Sequence, residues 1–377
     1  MSIIAYFNEY SKTGLMFLYL CLMARFYFFI IIFLALFSCK EKRKNSEQVV
    51  FKEIPVKYAQ LFSLSKSNTD FKVKIYNPWD SKLVYDSCLF SLRDTINRIA
   101  VLSSAHIGFF NELKSLNKII ALGQKKYIYN EELRERNDLL ELGENHTLNV
   151  EEVISLNPDI LLVSGFEQMS PQLQSINKSG VKVFQMLEWM EKHPLARAEW
   201  IRVVGLILGK TKEADEIFSV IERDYLSAKT LAKAKRKKTV LIGSEYKDVW
   251  YAPAGNSYMA TLLRDAGADY YWSKDISSGS LALNIEEIID KQSEADIWLN
   301  PGMVNSLKAI KGFHHKEFKS YQQGEVYDYM ACSRISGAND FWESGAVNPQ
   351  FILKDYIKIL YPQSLPNYQL RFYKKIE

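Results

Sequence analysis

The sequence predicts an α/β protein of two Rossmann-like lobes joined by a long helix, with an N-terminal β-hairpin extension. Three observations lead there. First, Leu148-Asn149-Val150-Glu151-Glu152-Val153-Ile154 returns 135 residues later as Leu283-Asn284-Ile285-Glu286-Glu287-Ile288-Ile289. In each copy the Asn can cap a helix, and an acid in the first turn suits the helix dipole. Each copy then runs, after an Asp, into a short apolar stretch, Ile160-Leu161-Leu162-Val163 or Ile297-Trp298-Leu299. Such a run is too short for a helix and reads as a buried strand. Second, apolar runs and helical patterns alternate in both halves, the mark of a mostly parallel sheet. Third, residues 212–233 place Ala214, Ile217, Phe218, Ile221, Tyr225 and Leu226 on one helical face. At 1.5 Å per residue that helix is roughly 33 Å long, enough to cross between lobes. Coincidence between two amphipathic helices is the competing explanation of the repeat, because the copies differ by two residues in helix-to-strand spacing.

The elements follow in order. Phe71–Ile75 and Lys82–Tyr85 alternate around Asn77-Pro78-Trp79-Asp80, a hairpin pattern. The first lobe opens with a strand at 98–102. Ser103–His106 turns into a helix running to Leu116, a strand covers 118–122, the capped helix 149–156, and strands 159–163 and 181–186. Ala198–Leu208 is apolar nearly all round, hence a buried helix, and Gly209 is a natural stop. The second lobe repeats the order: strand 239–242, a loop holding Trp250-Tyr251, helices 257–266 and 284–291, strands 296–299 and 325–329, and a last helix at 349–360. The tail from Pro362 shows no clear period. The expected boundaries are 1–39 for an export segment, 40–95 for tether and extension, 96–211 for the N-terminal lobe, 212–235 for the connecting helix, and 236–377 for the C-terminal lobe and tail.

With 377 residues, 47% hydrophobic and 24% charged, the chain has the composition of a globular protein with room for packed lobes. Met23-Ala24-Arg25 precedes the apolar run Phe26–Phe37, which ends in Ser38-Cys39. That is the layout of a secretory signal, and Leu36-Phe37-Ser38-Cys39 resembles a bacterial lipobox, in which the Cys is lipidated. A plain transmembrane anchor is the alternative, since the run lengthens if Leu15–Leu22 is included. Met23 is a candidate for the true start. The net charge is +4, of which Glu9, Lys12 and Arg25 contribute +1, leaving +3 after residue 38. This is no nucleic-acid signature. Lys40-Glu41-Lys42-Arg43-Lys44 is a short basic tether beside the membrane. Cys88 and Cys332 lie far apart, and two separate thiols are the simpler reading.

In open α/β sheets ligands sit beyond the carboxyl ends of the strands. That rule selects Ser103–His106, Tyr127–Tyr129, Trp250–Tyr251 and Arg334–Trp342, and among them Ser104, His106, Tyr127, Tyr129, Trp250, Tyr251, Arg334, Asp340 and Trp342 as ligand contacts. Aromatic faces in loops fit a binding cleft, although packing as a lid on their own lobe would explain them too. The five histidines are His106, His146, His193, His314 and His315, and no pair has the helical i, i+4 spacing of a metal site. A single axial ligand to a haem or corrinoid, from His106 or a nearby Tyr, stays open. No G-x-S-x-G elbow is present. Gly205–Thr211 misses a P-loop by one residue and lies within a helical pattern. An enzyme is therefore the weaker class.

Several segments in the right order carry a family resemblance: Arg98–His106, Asn149–Val163, Lys238–Leu241, Trp250–Tyr258, Leu263–Ala268 and Asn339–Gly345. Over about residues 96–362 the chain is similar to the periplasmic substrate-binding proteins of ABC transporters for cobalamin, haem and ferric siderophores, the helical-backbone class. The resemblance implies two lobes with little hinge movement, a shallow ligand cleft and a monomer. It also implies an iron chelate, haem or cobalamin as ligand, with no intrinsic cofactor, and an ABC permease with its ATPase as partner. In such proteins an acid on each lobe's rim docks onto permease arginines, and Glu151 and Glu286 occupy the matching position; a helix-dipole role for both can coexist. The extension at 58–92 has no counterpart in the family's core. A direct metal-ion receptor of the zinc or manganese type and a chelate-processing lipoprotein enzyme are the alternatives.

Overall fold

Two parallel sheets organise the chain, which a computed structural model describes for residues 49–80, 83–144, 147–232, 237–310 and 314–377. The expected export segment with Cys39, and His146, lie outside the described residues. The first lobe runs β5 (Ile99–Val101), α1 (Ser104–Glu112), β6 (Ile119–Leu122), α2 (Glu131–Glu135), β7 (Leu140–Glu141), α3 (Val150–Leu156), β8 (Ile160–Ser164), α4 (Pro171–Lys178) and β9 (Val183–Met186). Its strands lie in the order β7-β6-β5-β8-β9, all parallel. β5 and the first four residues of β8 are buried throughout, as a strand covered on both faces requires.

The expected helix 198–208 is two, α5 (Pro194–Glu199) and α6 (Ile201–Ile207), with the buried Trp200 between them. α7 (Thr211–Leu231) is the long helix, and it buries Ala214, Phe218, Ile221, Tyr225 and Ala228 on one face. The second lobe then comprises β10 (Val240–Ile242), β11 (Ser244–Tyr246), β12 (Val249–Pro253), α8 (Tyr258–Asp265), β13 (Ser280–Asn284), α9 (Ile285–Gln292), β14 (Ile297–Leu299), α10 (Lys319–Gln322), β15 (Val326–Asp328), α11 (Asp340–Glu343), α12 (Pro349–Leu360) and β16 (Lys374–Lys375). β10, β14 and β15 are parallel, and β16 adds an antiparallel edge. The tail is thus part of the sheet. Asp355 of α12 secures it by accepting the backbone N–H groups of Arg371, Phe372 and Tyr373 at 2.7–3.0 Å.

The repeated unit folds alike in both places. Asn149 Oδ1 accepts the Glu152 N–H at 3.2 Å, and Asn284 Oδ1 accepts that of Glu286 at 3.0 Å. The Asp after each helix then grips the chain entering that lobe's first strand. Asp159 Oδ2 accepts the N–H groups of Asn97 and Arg98, and Asp296 Oδ2 accepts that of Thr239. The Asp therefore fastens the repeated strand to its neighbour in each sheet, with spacing absorbed by the turn before it.

The extension is more than a hairpin. β1 (Lys52–Ile54), β2 (Phe62–Lys66), β3 (Asp70–Tyr76) and β4 (Val84–Ser91) form an antiparallel meander. Phe62, Leu64, Val73, Ile75 and Phe90 point to the body of the protein and join its main core. Two buried carboxylates attach the linking segment. Glu199 accepts the N–H groups of Lys57, Tyr58 and Ala59, and Glu191 accepts those of Gln60 and Leu61.

The lobes meet where α1 crosses α11. A Cβ on Gly108 would lie 2.3 Å from the Glu343 carbonyl oxygen, so only glycine permits this approach. Glu343, buried in the joint, accepts the N–H groups of Tyr129 and Asn130 at 2.7 and 2.9 Å. Asn348 Nδ2 donates across the same joint to Glu112 at 2.8 Å.

Candidate functional site: a cleft at the strand ends

Three adjoining hollows of about 660, 440 and 340 Å³ run along the carboxyl ends of both sheets. Residues following β5, β7, β8 and β9 supply one side: Ser103, Glu144, Phe166 and Trp189. Residues following β10, β14 and β15 supply the other: Ser244, Asn300, Met303 and Tyr329. Trp342 borders two of the hollows, and Ser103 and Glu144 join the third. A further hollow of about 640 Å³, lined by Lys66, Arg93, Asp159 and Lys182, sits at the opposite, amino ends of β8 and β9. The strand-end rule favours the first set.

The expected contacts divide. Ser104, Tyr127, Tyr251 and Trp342 line the cleft. Tyr251 and Trp342 are 45% and 42% exposed, and Trp342 is held edge-on by Tyr329 and Phe341. Trp250 requires correction. It lies in strand β12, not a loop, and alternation turns it away from Tyr251 into the core. It is 1% exposed, packs on Trp298 and Phe318, and donates from Nε1 to the Ile242 carbonyl.

His106 is also corrected. It sits in α1, fully buried, with Nε2 3.4 Å from Glu188 Oε2. Burial opposes charge on Glu188, but the facing His106 and the nearby Arg197 outweigh it and hold the carboxyl below the ordinary glutamate range. The imidazole is thus buried beside an internal acid, with no hydrogen-bond partner for either ring nitrogen among the described residues, and it lines none of the three hollows. Tyr129, Arg334 and Asp340 serve the joint between lobes and line none of the three hollows. Arg334 Nη2 donates to the Tyr129 carbonyl and its guanidinium lies 5.0 Å from that ring, while Asp340 Oδ1 accepts the Ser344 N–H. Glu151 and Glu286 are exposed in the first turns of α3 and α9.

Several lining residues escaped the sequence reading: Phe166, Trp189, Arg197, Tyr258, Asn300 and Met303. The strand-end rule applied to β8 and β14 would have found Phe166, Asn300 and Met303. Arg197 had no such signal, since it lies in a helix whose neighbours are core. Its guanidinium is 5.4 Å from the Tyr258 ring, and its buried Nε has no hydrogen-bond partner among the described residues. The lining therefore sets the rings of Trp189, Tyr251, Tyr258 and Trp342 beside two cations, Lys192 and Arg197, and two acids, Glu144 and Glu191.

The family described as periplasmic binding protein matches residues 99–329, more than half of the chain. The chain belongs to that family. As the family's description says, its members are binding proteins of the periplasm. An uncharacterized lipoprotein of Methanocaldococcus jannaschii is 25% identical over 232 residues, 60% of this chain and 54% of the relative. The chain spans about half the length of that curated relative. Among solved structures, a possible iron-binding periplasmic solute-binding protein of Staphylococcus epidermidis matches with TM-score 0.56 and 16% identity, covering 71% of this chain and all of the other. The periplasmic haem-binding protein of Vibrio cholerae matches with TM-score 0.53 and 18% identity, covering 68% and 98%. At such identities these likenesses speak for the two-lobed fold alone.

Proposed function

We propose that this periplasmic binding protein captures an iron or corrinoid chelate (a ferric siderophore, haem or cobalamin) and delivers it to an ABC permease driven by its ATPase. The observation that carries the ligand class is the gathering of ring faces at the strand ends beside Arg197 and Lys192. A bare ion would call for several converging nitrogen, oxygen or sulfur ligands, whereas Trp189, Tyr251, Trp342 and Tyr258 offer ring faces and edges. The haem-binding and iron-binding names of the structural neighbours fit the same class. The lipobox-like Leu36–Cys39 supports a lipid anchor at Cys39, and the relative called a lipoprotein agrees with it. Glu151 and Glu286, exposed and alike in setting, are the proposed contacts to permease arginines.

The test is a titration of the purified chain with haemin, a ferric tris-catecholate and cyanocobalamin, followed by absorbance and melting temperature. A ligand at a hundred times its dissociation constant stabilises the fold by about 2.7 kcal/mol. Saturable binding of one of the three is the expected result; binding of none, beside tight binding of zinc or manganese alone, would replace this reading by a metal-ion receptor.

A further inference from the structure

Phe166 and Trp189 form a ring pair on the first lobe's side of the cleft, with centroids 5.7 Å apart. Both are substantially exposed and both stand just past a strand, on backbone that no ladder holds. Two successive carbonyls keep the pair in place. Trp189 Nε1 donates to the Gly165 carbonyl at 3.2 Å, from within the pair. The next carbonyl, that of Phe166, is held from behind by the N-terminal sheet: Tyr85 of β4 donates its hydroxyl to it at 2.6 Å. The Tyr85 hydroxyl oxygen also lies 2.9 Å from Gln185 Oε1 of β9, a second acceptor for its one proton.

The fit around this hydroxyl is close. A Cβ on Gly165 would come within 3.1 Å of it and 2.8 Å of Leu187, so glycine lets the phenol reach the strand end. Burial pushes the Tyr85 hydroxyl up to about 12, which keeps it a neutral donor at physiological pH. On its outer side Trp79 packs against the Tyr85 ring at 5.9 Å. A phenylalanine at position 85 would bury as much ring; what the tyrosine adds is a donor aimed at the backbone of a cleft residue.

We propose that the N-terminal sheet is a working part of the cleft, with Tyr85 as the positioning residue that sets the Phe166–Trp189 wall against which a flat ligand stacks. This rests on the cleft reading above. The wall is then matched to the ligand by a segment outside the two lobes, so the extension tunes selectivity.

The test compares Tyr85→Phe with Tyr76→Phe in the full chain. The second variant removes a hydroxyl contact of the same sheet, Tyr76 to Ser63 at 3.0 Å, away from the cleft. Hydrogen exchange in the free protein should quicken about five-fold at Phe166–Gln168 in Tyr85→Phe only, the loss of one hydrogen bond. Haemin, ferric tris-catecholate or cyanocobalamin, whichever binds the wild type, should bind Tyr85→Phe about five-fold more weakly and Tyr76→Phe unchanged. Equal behaviour of the two variants overturns the proposal, as does quicker exchange with unchanged affinity. If the wild type binds none of the three probes, the ligand reading falls by itself, and the exchange comparison still decides whether Tyr85 holds the wall.

Discussion

Trp250 and Tyr251 are neighbours in one strand with opposite duties, and alternation across a sheet is the whole reason. Tyr251→Ala or Trp342→Ala should weaken ligand binding by about 1–3 kcal/mol, as for a stacked aromatic anchor, while the ligand-free melting temperature stays nearly constant. Trp250→Ala should do the reverse, costing about 3–5 kcal/mol of stability through the cavity it leaves beside Trp298. Urea unfolding beside ligand titration separates the two outcomes. His106→Ala should be destabilising as well, because it empties a fully buried ring site beside the Glu188 carboxylate. Equal stability of that variant in urea would return His106 to the list of ligand contacts. These two residues also show what a sequence reading misses. Trp250 lies in a stretch rich in Gly, Pro and Ser, whose composition reads as loop although its backbone pairs on both sides. His106 follows a strand as a cleft residue would, but helix geometry turns its ring inward toward an acid 82 positions away.

At the scale of elements, the strands and helices with clear periods were legible: the capped helices, the buried parallel strands and the long helix all lie within a few residues of expectation. What escaped were the elements whose reason is a distant partner. β13 alternates over only five residues and is defined by pairing with β12, while β16 is two residues long and is held by β15 and by the Asp355 carboxylate just before it. Ser104, Tyr127, Tyr251 and Trp342 were likewise readable, because the strand-end rule fixes places, whereas the α1–α11 joint that takes Tyr129, Arg334 and Asp340 depends on which helices meet. That joint predicts a pH effect. Burial, opposed by the Tyr129 and Asn130 amides, raises the Glu343 carboxyl from 4.5 to about 7. The folded protein therefore keeps a proton that the unfolded chain releases above pH 4.5. This group favours folding most below that point, and its contribution falls by about 3 kcal/mol as pH rises to 7. Asp328, raised to about 6 by burial, adds in the same direction. Glu343→Gln should flatten, without abolishing, the loss of stability between pH 5 and 7 in urea titrations. An unchanged slope would remove Glu343 as its source.

For the whole molecule, the twice-used motif places Glu151 and Glu286, both exposed, on different lobes, and these are the docking contacts proposed above. The Glu151→Gln/Glu286→Gln double variant should bind ligand normally and fail to deliver it to vesicles containing the cognate permease. Reversal of both charges to Arg should be worse, most plainly at low salt. Wild-type uptake by the reversed protein would leave both glutamates as helix-dipole acids worth about 0.3–1 kcal/mol each. A different consequence follows from the shared core. Phe62 of the extension, Phe109 of the first lobe, Tyr225 of α7 and Tyr356 of the second lobe belong to one continuous hydrophobic cluster. Smaller interiors flank it, around Val153 and Leu161 in the first lobe and Trp250 and Trp298 in the second, but the cluster that all the parts share couples their melting. Heating should give a single calorimetric endotherm, with calorimetric and van't Hoff enthalpies equal. A ligand touching only the strand ends would then also protect the N-terminal sheet and the C-terminal strand from those protease cuts that require global unfolding.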